Sequence, residues 1–286
     1  MQTTKLNADS ILPLTCTRSG TCCFGKAVML NPWEIVCFSV AKKITPREFR
    51  DLYCDFGGIQ LIFNGKENKK GQKSCSQYIP DFGCSVHEGR PLACRLYPLG
   101  RQIQFDKAEY IYEGTDFPCL TDCADVLNLP KMSVGKYLKG QKAELFENAQ
   151  DAYLQVMQNI ADIGFELFLD SGLAASGDTK TLQTWRILGQ ETPELLALRI
   201  GKEWMDALMI PEINEDNPIA FAQKHNDLLL LKAQEQFGNI STLEELHNAS
   251  VLMIALALHL AKGLGADTKG ISEHWIATAK SFGSKE

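Results

Sequence analysis

The sequence predicts a mainly α protein of the α+β kind, in which a small, irregular, cysteine-rich domain with short helices and a β-hairpin precedes an all-α helical domain. All ten cysteines lie in residues 1–128. After Pro130, apolar residues recur at helical spacing. The charge divides in the same way, with 15 Lys and Arg against 14 Asp and Glu in residues 1–128, and 14 against 21 in residues 129–286. We therefore expect a cysteine-cluster domain at 1–128 and a helical bundle at 129–286.

Composition and charge narrow the class of protein. The chain has 286 residues, of which 45% are hydrophobic, so it can bury a substantial core. The acidic second half argues against nucleic acid as a partner. No basic stretch followed by an apolar run begins the chain, and the longest apolar run, Val251 to Ala257, is short for a bilayer. We expect a cytoplasmic protein with no membrane partner, although a secreted disulfide protein is the alternative.

Two helix starts are predicted in the first half. Asn31-Pro32-Trp33-Glu34 and Thr45-Pro46-Arg47-Glu48 each combine an N-cap residue, a proline at the first helical position and a glutamate that can close a capping box. Cys37 shares a face with Trp33 and Val40, and Cys54 follows the second helix. We therefore predict that Cys37 and Cys54 are packed thiols and not metal ligands.

The rest of the first half predicts short elements. Residues 59–63 read as a short strand, and 80–83 as a turn. Pro91 is placed to open a single helical turn that carries Cys94. Alternating residues at 101–105 and 110–112, with a polar turn between them, predict a β-hairpin.

The second half predicts helices throughout. A long helix spans Leu145 to Leu167 and ends near Gly172, and a short one covers 182–188. Further helix starts lie at residues 192–194, 217–218 and 241–244, and a last helix carries His274. No two of the four histidines here form a metal-binding i, i+4 pair, and we expect each to be a surface or hydrogen-bonded core residue. The four are His225, His247, His259 and His274.

The cysteines are grouped as metal ligands are. Three lie within eight residues, three follow singly, and two close the set, in the order Cys16, Cys22, Cys23, Cys75, Cys84, Cys94, Cys119 and Cys123. Thiolate sulfur binds zinc, copper(I) or iron–sulfur clusters. Zinc sites usually have two compact pairs, whereas iron–sulfur proteins tolerate one distant cysteine. The adjacent Cys22 and Cys23, with Cα atoms about 3.8 Å apart, more easily ligate different metals than one zinc ion.

Eight thiolates are the number needed for two four-ligand sites, and we predict all eight as ligands. Arginines flank the predicted ligands at positions 18, 90 and 95. An anionic thiolate cluster needs nearby cations or N–H donors, so we assign Arg90 and Arg95 to cofactor binding, with ordinary surface arginines as an equal alternative. His87, three residues after Cys84, is a less favoured ligand.

The same residues carry a resemblance to a family. Cys16 to Cys23, then Cys75, then Cys84-Ser85-Val86-His87, then Arg90-Pro91-x-x-Cys94-Arg95 and a later cysteine resemble the CxxCxxCC, or YkgJ-like, cysteine-cluster family over residues 12–125. The resemblance implies zinc or iron chelation. It also implies a fourth cysteine in the first group, where this chain has Ser19. Cys123 could replace that ligand, the Ser19 oxygen or the His87 nitrogen could do so, or one metal could keep an open position.

A more distant similarity connects this pattern to flagellin lysine N-methylases, which implies a [4Fe–4S] cluster and modification of a protein. The sequence contains no glycine-rich cofactor fingerprint, nucleophile elbow or P-loop. Three interpretations stay open. The chain is an iron–sulfur protein that acts on an unknown protein or small-molecule substrate at the helical domain, or a structural zinc module, or a protein that passes metal on.

Overall fold

The structure is a computed structural model, and it describes residues 4–14, 20–104, 107–112 and 130–286. The chain divides into two compact units, neither of which is continuous in sequence. Unit 1 comprises Met1–Val28, Cys37–Ile44 and Leu61–Glu147. Unit 2 comprises Met29–Val36, Thr45–Gln60 and Asn148–Glu286. The boundary predicted after residue 128 lies outside the described residues and stays a prediction.

Unit 1 contains a three-stranded antiparallel sheet in the order β1-β8-β7. The predicted hairpin is confirmed as β7 (Gly100–Gln104) and β8 (Lys107–Tyr112), with Arg101 opposite Tyr110. The sheet gains a strand that the sequence did not reveal, β1 (Thr4–Leu6), in which Leu6 also lies opposite Tyr110. The amino-terminal segment is thereby tied to the hairpin.

The remaining strands have two residues each and form three two-stranded pairs. They are β2 (Ile11–Leu12) with β9 (Met132–Ser133), β3 (Cys54–Asp55) with β4 (Gln60–Leu61), and β5 (Tyr78–Ile79) with β6 (Gly83–Cys84). The predicted strand at 59–63 is confirmed only in its centre. Strands this short bury little apolar surface, so turns and caps determine the local structure.

Both predicted capping boxes are present. In helix α1 (Pro32–Lys42), the Glu34 N–H donates to Asn31 Oδ1 at 3.0 Å, and the Asn31 N–H donates to Glu34 Oε2 at 3.0 Å. In helix α2 (Pro46–Tyr53), Thr45 and Glu48 exchange the same two bonds. Helix α3 (Leu92–Leu96) follows Pro91 as predicted. Each box satisfies backbone groups that a helix start leaves without partners.

The later part of the chain is helical, as predicted. The helices are α4 (Val134–Gly140), α5 (Ala143–Leu169), α6 (Lys180–Gln190), α7 (Pro193–Met209), α8 (Pro218–Phe237), α9 (Leu243–Gly263) and α10 (Thr268–Ser281). Thr192, Asn217 and Thr242 cap α7, α8 and α9 with their side chains. Helix α7 is kinked at Gly201, where φ is 76° and ψ is 165°.

The core of unit 2 is aromatic and aliphatic. Trp185 is completely buried, and its ring meets those of Phe165 and Phe168 edge to face at centroid distances of 5.0 and 5.5 Å.

Helix α9 is the one described helix with the length and hydropathy to cross a bilayer. However, 72% of its most apolar 18-residue window is buried inside the protein, as in the core helix of a globular unit.

Candidate metal centre

The first described cysteines lie on a single 3₁₀ turn, Thr21–Cys23. The turn begins at Gly20, whose φ of 74° places it in the left-handed region, and the Cys23 N–H donates to the Gly20 carbonyl at 2.8 Å. A Cβ at Gly20 would lie 2.1 Å from the Tyr78 ring. Glycine is therefore required here both for the backbone conformation and for the close approach of Tyr78.

Cys75 is held against this turn by the backbone. Its N–H donates to the Cys23 carbonyl at 2.7 Å, and Phe24 and Ser74 form an antiparallel bridge next to it. The Gln77 N–H lies 3.4 Å from Cys75 Sγ and donates to it. An N–H that points at a sulfur stabilises the thiolate form, which is the form that binds metals.

Cys84 and Cys94 come from two further local structures. Cys84 ends strand β6 and lies opposite Tyr78 across the β5–β6 hairpin. The hairpin turn needs a positive φ at both Asp81 and Gly83. Cys94 lies in α3, where its N–H donates to the Pro91 carbonyl at 3.0 Å. The proline thus opens the turn that carries the thiol.

These local structures bring five cysteines to one cavity of about 70 Å³ in unit 1. Its wall contains the five cysteines, four polar residues and a set of apolar ones, as follows: Cys22, Cys23, Cys75, Cys84, Cys94, Gln77, Tyr78, His87, Arg90, Gly20, Val28, Phe38, Leu61 and Phe63. Since about 10–15 Å³ is enough to hold one water, the space holds several water-sized groups. It is larger than one bare ion requires.

The described side chains of the cavity wall do not lie at ligating distance from a common point. Within the described ranges, no three His, Cys, Asp or Glu side chains are arranged around a point that could hold an ion. Cys75 is buried, and the other four cavity cysteines are half-buried. The donor set still suits a soft metal, because thiolates are the preferred ligands of zinc, copper(I) and iron–sulfur clusters.

The thiols influence one another's ionisation. A hydrogen bond from the Cys23 thiol lowers the pKa of Cys22 to about 6, and the same bond raises the pKa of Cys23. Burial raises the pKa of Cys75 to about 11 and that of Cys94 well above its usual value, with further contributions from neighbouring thiols. Several anions in one cavity repel one another, and a bound cation would remove that repulsion.

Arg90 is the cation of the cavity wall. It is 8% exposed, and its Nη1 donates to the His87 carbonyl at 2.7 Å, while Nη2 donates to Gln141. Its Nε is buried and has no hydrogen-bond partner within the described structure. A buried donor without a partner is costly, so an anionic group in the cavity would stabilise this side chain. This geometry fits the predicted contribution of Arg90 to cofactor binding.

Arg95 lies beside the cavity but does not line it. Its guanidinium donates to the carbonyls of Arg90, Glu88 and Gln141, at 2.8 Å for Arg90 and 2.7 Å for Gln141. It also stacks over the Phe146 ring at 3.8 Å. These contacts fix the loop that carries Arg90, so any action of Arg95 on a cofactor would be indirect. Its assignment to cofactor binding stays a prediction.

Several predicted site residues lie outside the described residues, namely Cys16, Arg18, Ser19, Cys119 and Cys123.

Neither Cys37 nor Cys54 is among the residues that line the cavity. Cys37 instead lies on α1 against the turn at Gly89, where a Cβ would come within 2.7 Å of the Cys37 carbonyl oxygen. The sequence missed Gln77 and Tyr78 as wall residues. No residue pattern signals them, because a loop and a two-residue strand place them there.

Three histidines of the second half lie in the environments predicted for them. His225 is a hydrogen-bonded core residue, between Tyr153 Oη at 2.9 Å and the Ala207 carbonyl at 2.9 Å. His274 is exposed. His259 is completely buried in the core, where its ring interacts with the backbone of Phe56.

Comparison with known families identifies the cysteine-rich segment. Residues 15–112 match the CxxCxxCC family, described as "Putative zinc- or iron-chelating domain". The match supports metal binding by this segment, with zinc and iron both compatible. No curated protein and no solved structure matches the chain.

Proposed function

We propose that the CxxCxxCC domain at residues 15–112 holds an iron–sulfur centre of the [4Fe–4S] type in its cysteine cavity. The observation that carries the proposal is the convergence of five cysteines on one cavity of about 70 Å³. A polynuclear cluster needs several sulfur ligands and more room than a single ion. The cavity offers both.

The surroundings of the thiols support an anionic cluster. The Gln77 N–H already points at Cys75 Sγ, and Arg90, whose buried Nε has no partner among the described residues, lines the cavity. N–H donors and cations around the sulfurs stabilise and tune such clusters. The ligands would come from Cys22, Cys23, Cys75, Cys84 and Cys94, together with Cys16, Cys119 and Cys123 from the parts of the chain outside the described ranges.

The centre would serve to modify a protein or small-molecule substrate, the use implied by the similarity to flagellin lysine N-methylases. The second candidate is a zinc-binding module without catalysis, and the family description favours it as much as iron. In that case the metal would only stabilise a domain built from short strands and turns.

The test is elemental analysis of the full chain purified without oxygen, combined with acid-labile sulfide and a visible absorption spectrum. The proposal predicts iron and sulfide in similar amounts and a brown protein. Stoichiometric zinc in a colourless protein would replace it with the second candidate. Protein that holds neither metal, even after reconstitution with iron and sulfide, would overturn metal binding itself.

A further inference from the structure

An open groove runs along the surface of unit 2, and none of its lining residues is a cysteine. It has a volume of about 510 Å³ and an apolar floor. The lining residues come from α5, α8, the segment after α8 and α9, and the apolar ones are Ile163, Leu167, Leu230, Leu231, Ala233, Phe237, Ile240 and Leu246. Leu231 is 55% exposed and Leu230 is 39% exposed. Neighbouring exposed leucines in a groove are typical of a surface that receives another chain.

One rim of the groove is acidic. Asp162 and Glu166 lie one turn apart on α5, and Asp170 directly follows the last residue of α5, with its N–H donating to the Glu166 carbonyl at 3.0 Å. The three acids therefore follow one another at a spacing of four residues, and Glu166 lines the groove itself. All three are exposed, and no basic side chain pairs with any of them in the part of the chain that the structure describes. Like charges at this spacing destabilise a helix slightly. A partner with positive charges would remove that repulsion.

We propose that this groove binds a basic amphipathic segment of a partner protein, with apolar side chains on the floor and lysines or arginines against Asp162, Glu166 and Asp170. A second copy of the chain fits less well, because two copies packed groove to groove would bring identical acidic rows together. Nucleic acid and anionic membranes are disfavoured by the same charges. The site is separate from the cysteine cavity and does not depend on the metal.

Fluorescence anisotropy with the full chain tests the proposal. The probe is a labelled amphipathic peptide with leucines on one face and lysines on the other, and the control peptide has glutamates in place of the lysines. We expect the lysine peptide to bind, with an affinity that falls as salt increases, and the glutamate peptide to bind much more weakly. No measurable binding of the lysine peptide at low salt, or equal binding of the two peptides, would overturn the proposal.

Matched variants locate the binding surface. Asp162→Asn/Glu166→Gln should weaken binding about fivefold, whereas Glu212→Gln/Asp216→Asn, which removes the same charge from an exposed loop, should leave it unchanged. Leu231→Gln should weaken binding about tenfold, and Leu198→Gln, at an exposed leucine outside the groove, should not. Equal effects of groove and control variants would refute the site. So would a dimer in sedimentation that Leu231→Gln abolishes, because that would make a second copy the occupant.

Discussion

Two buried histidines of unit 2 are held in the neutral form by different environments. Both ring nitrogens of His225 are hydrogen-bonded. The bond to the Ala207 carbonyl requires Nε2–H, so Nδ1 accepts a hydrogen bond from Tyr153 Oη. The ring of His259 interacts with the backbone of Phe56, which opposes the effect of burial on its pKa only in part. Burial lowers the pKa of each to about 4. Protonation of either would put a charge in an apolar core.

Stability should therefore depend on these two residues in acid. The folded pKa of about 4 lies below the ordinary value of 6.5, so the unfolded chain binds protons first as the pH falls. Stability is fully present above about pH 6.5 and is lost between pH 6.5 and pH 4, by up to about 3 kcal/mol for each histidine. Urea unfolding followed by circular dichroism across this range measures the effect.

Replacement of one histidine separates the two contributions. His259→Leu should reduce the pH dependence of the unfolding free energy between pH 6.5 and 4 by about half, and at pH 7 it should leave the stability unchanged or raise it by about 1 kcal/mol. His274→Gln, at an exposed position, should keep the original profile. An unchanged slope in His259→Leu would show that His259 does not titrate as its burial implies.

At the scale of single elements, helix α7 contains a backbone break that only glycine adopts easily. Gly201 has φ 76° and ψ 165°, far from helical values, and no atom would contact an added Cβ. Gly201→Ala should therefore destabilise unit 2 through strain alone, by roughly 1–3 kcal/mol. Gly140→Ala is the control, because Gly140 lies in α4 without a positive φ and also has open space. Thermal unfolding that ranks the two variants equally would argue against a strained kink.

Individual helices and strands also differ in how far the sequence predicts them. Helices α1 and α2 were identified because capping boxes are local patterns, and helix α5 was identified because its apolar period extends from Leu145 to Leu167. The pairing of β1 with β8 was not predictable, since three residues carry no register signal. Of the cavity wall, the sequence analysis named the cysteines, Arg90 and, as a less favoured ligand, His87. Gln77 and Tyr78 reach it through tertiary packing, which no spacing rule encodes.

At the scale of the whole molecule, the two units should respond differently to loss of metal. The cysteine cavity is built from turns and two-residue strands, so metal binding there is coupled to folding. Unit 2 has long helices with a buried core of its own. After chelation, limited proteolysis with mass spectrometry should cut first within residues 61–104 of unit 1 and leave residues 148–286 of unit 2 protected. Equal protection of both regions in chelated protein would contradict this division.

The central claim is that the metal is bound in the cysteine cavity. Its most direct test is the metal content of two double variants purified without oxygen, measured against the unmodified chain. Cys22→Ala/Cys94→Ala removes two thiols of the cavity wall, and Cys37→Ala/Cys54→Ala removes two cysteines outside it. We expect the first variant to lose most of its bound metal and the second to retain it. Full metal retention in Cys22→Ala/Cys94→Ala would contradict the account.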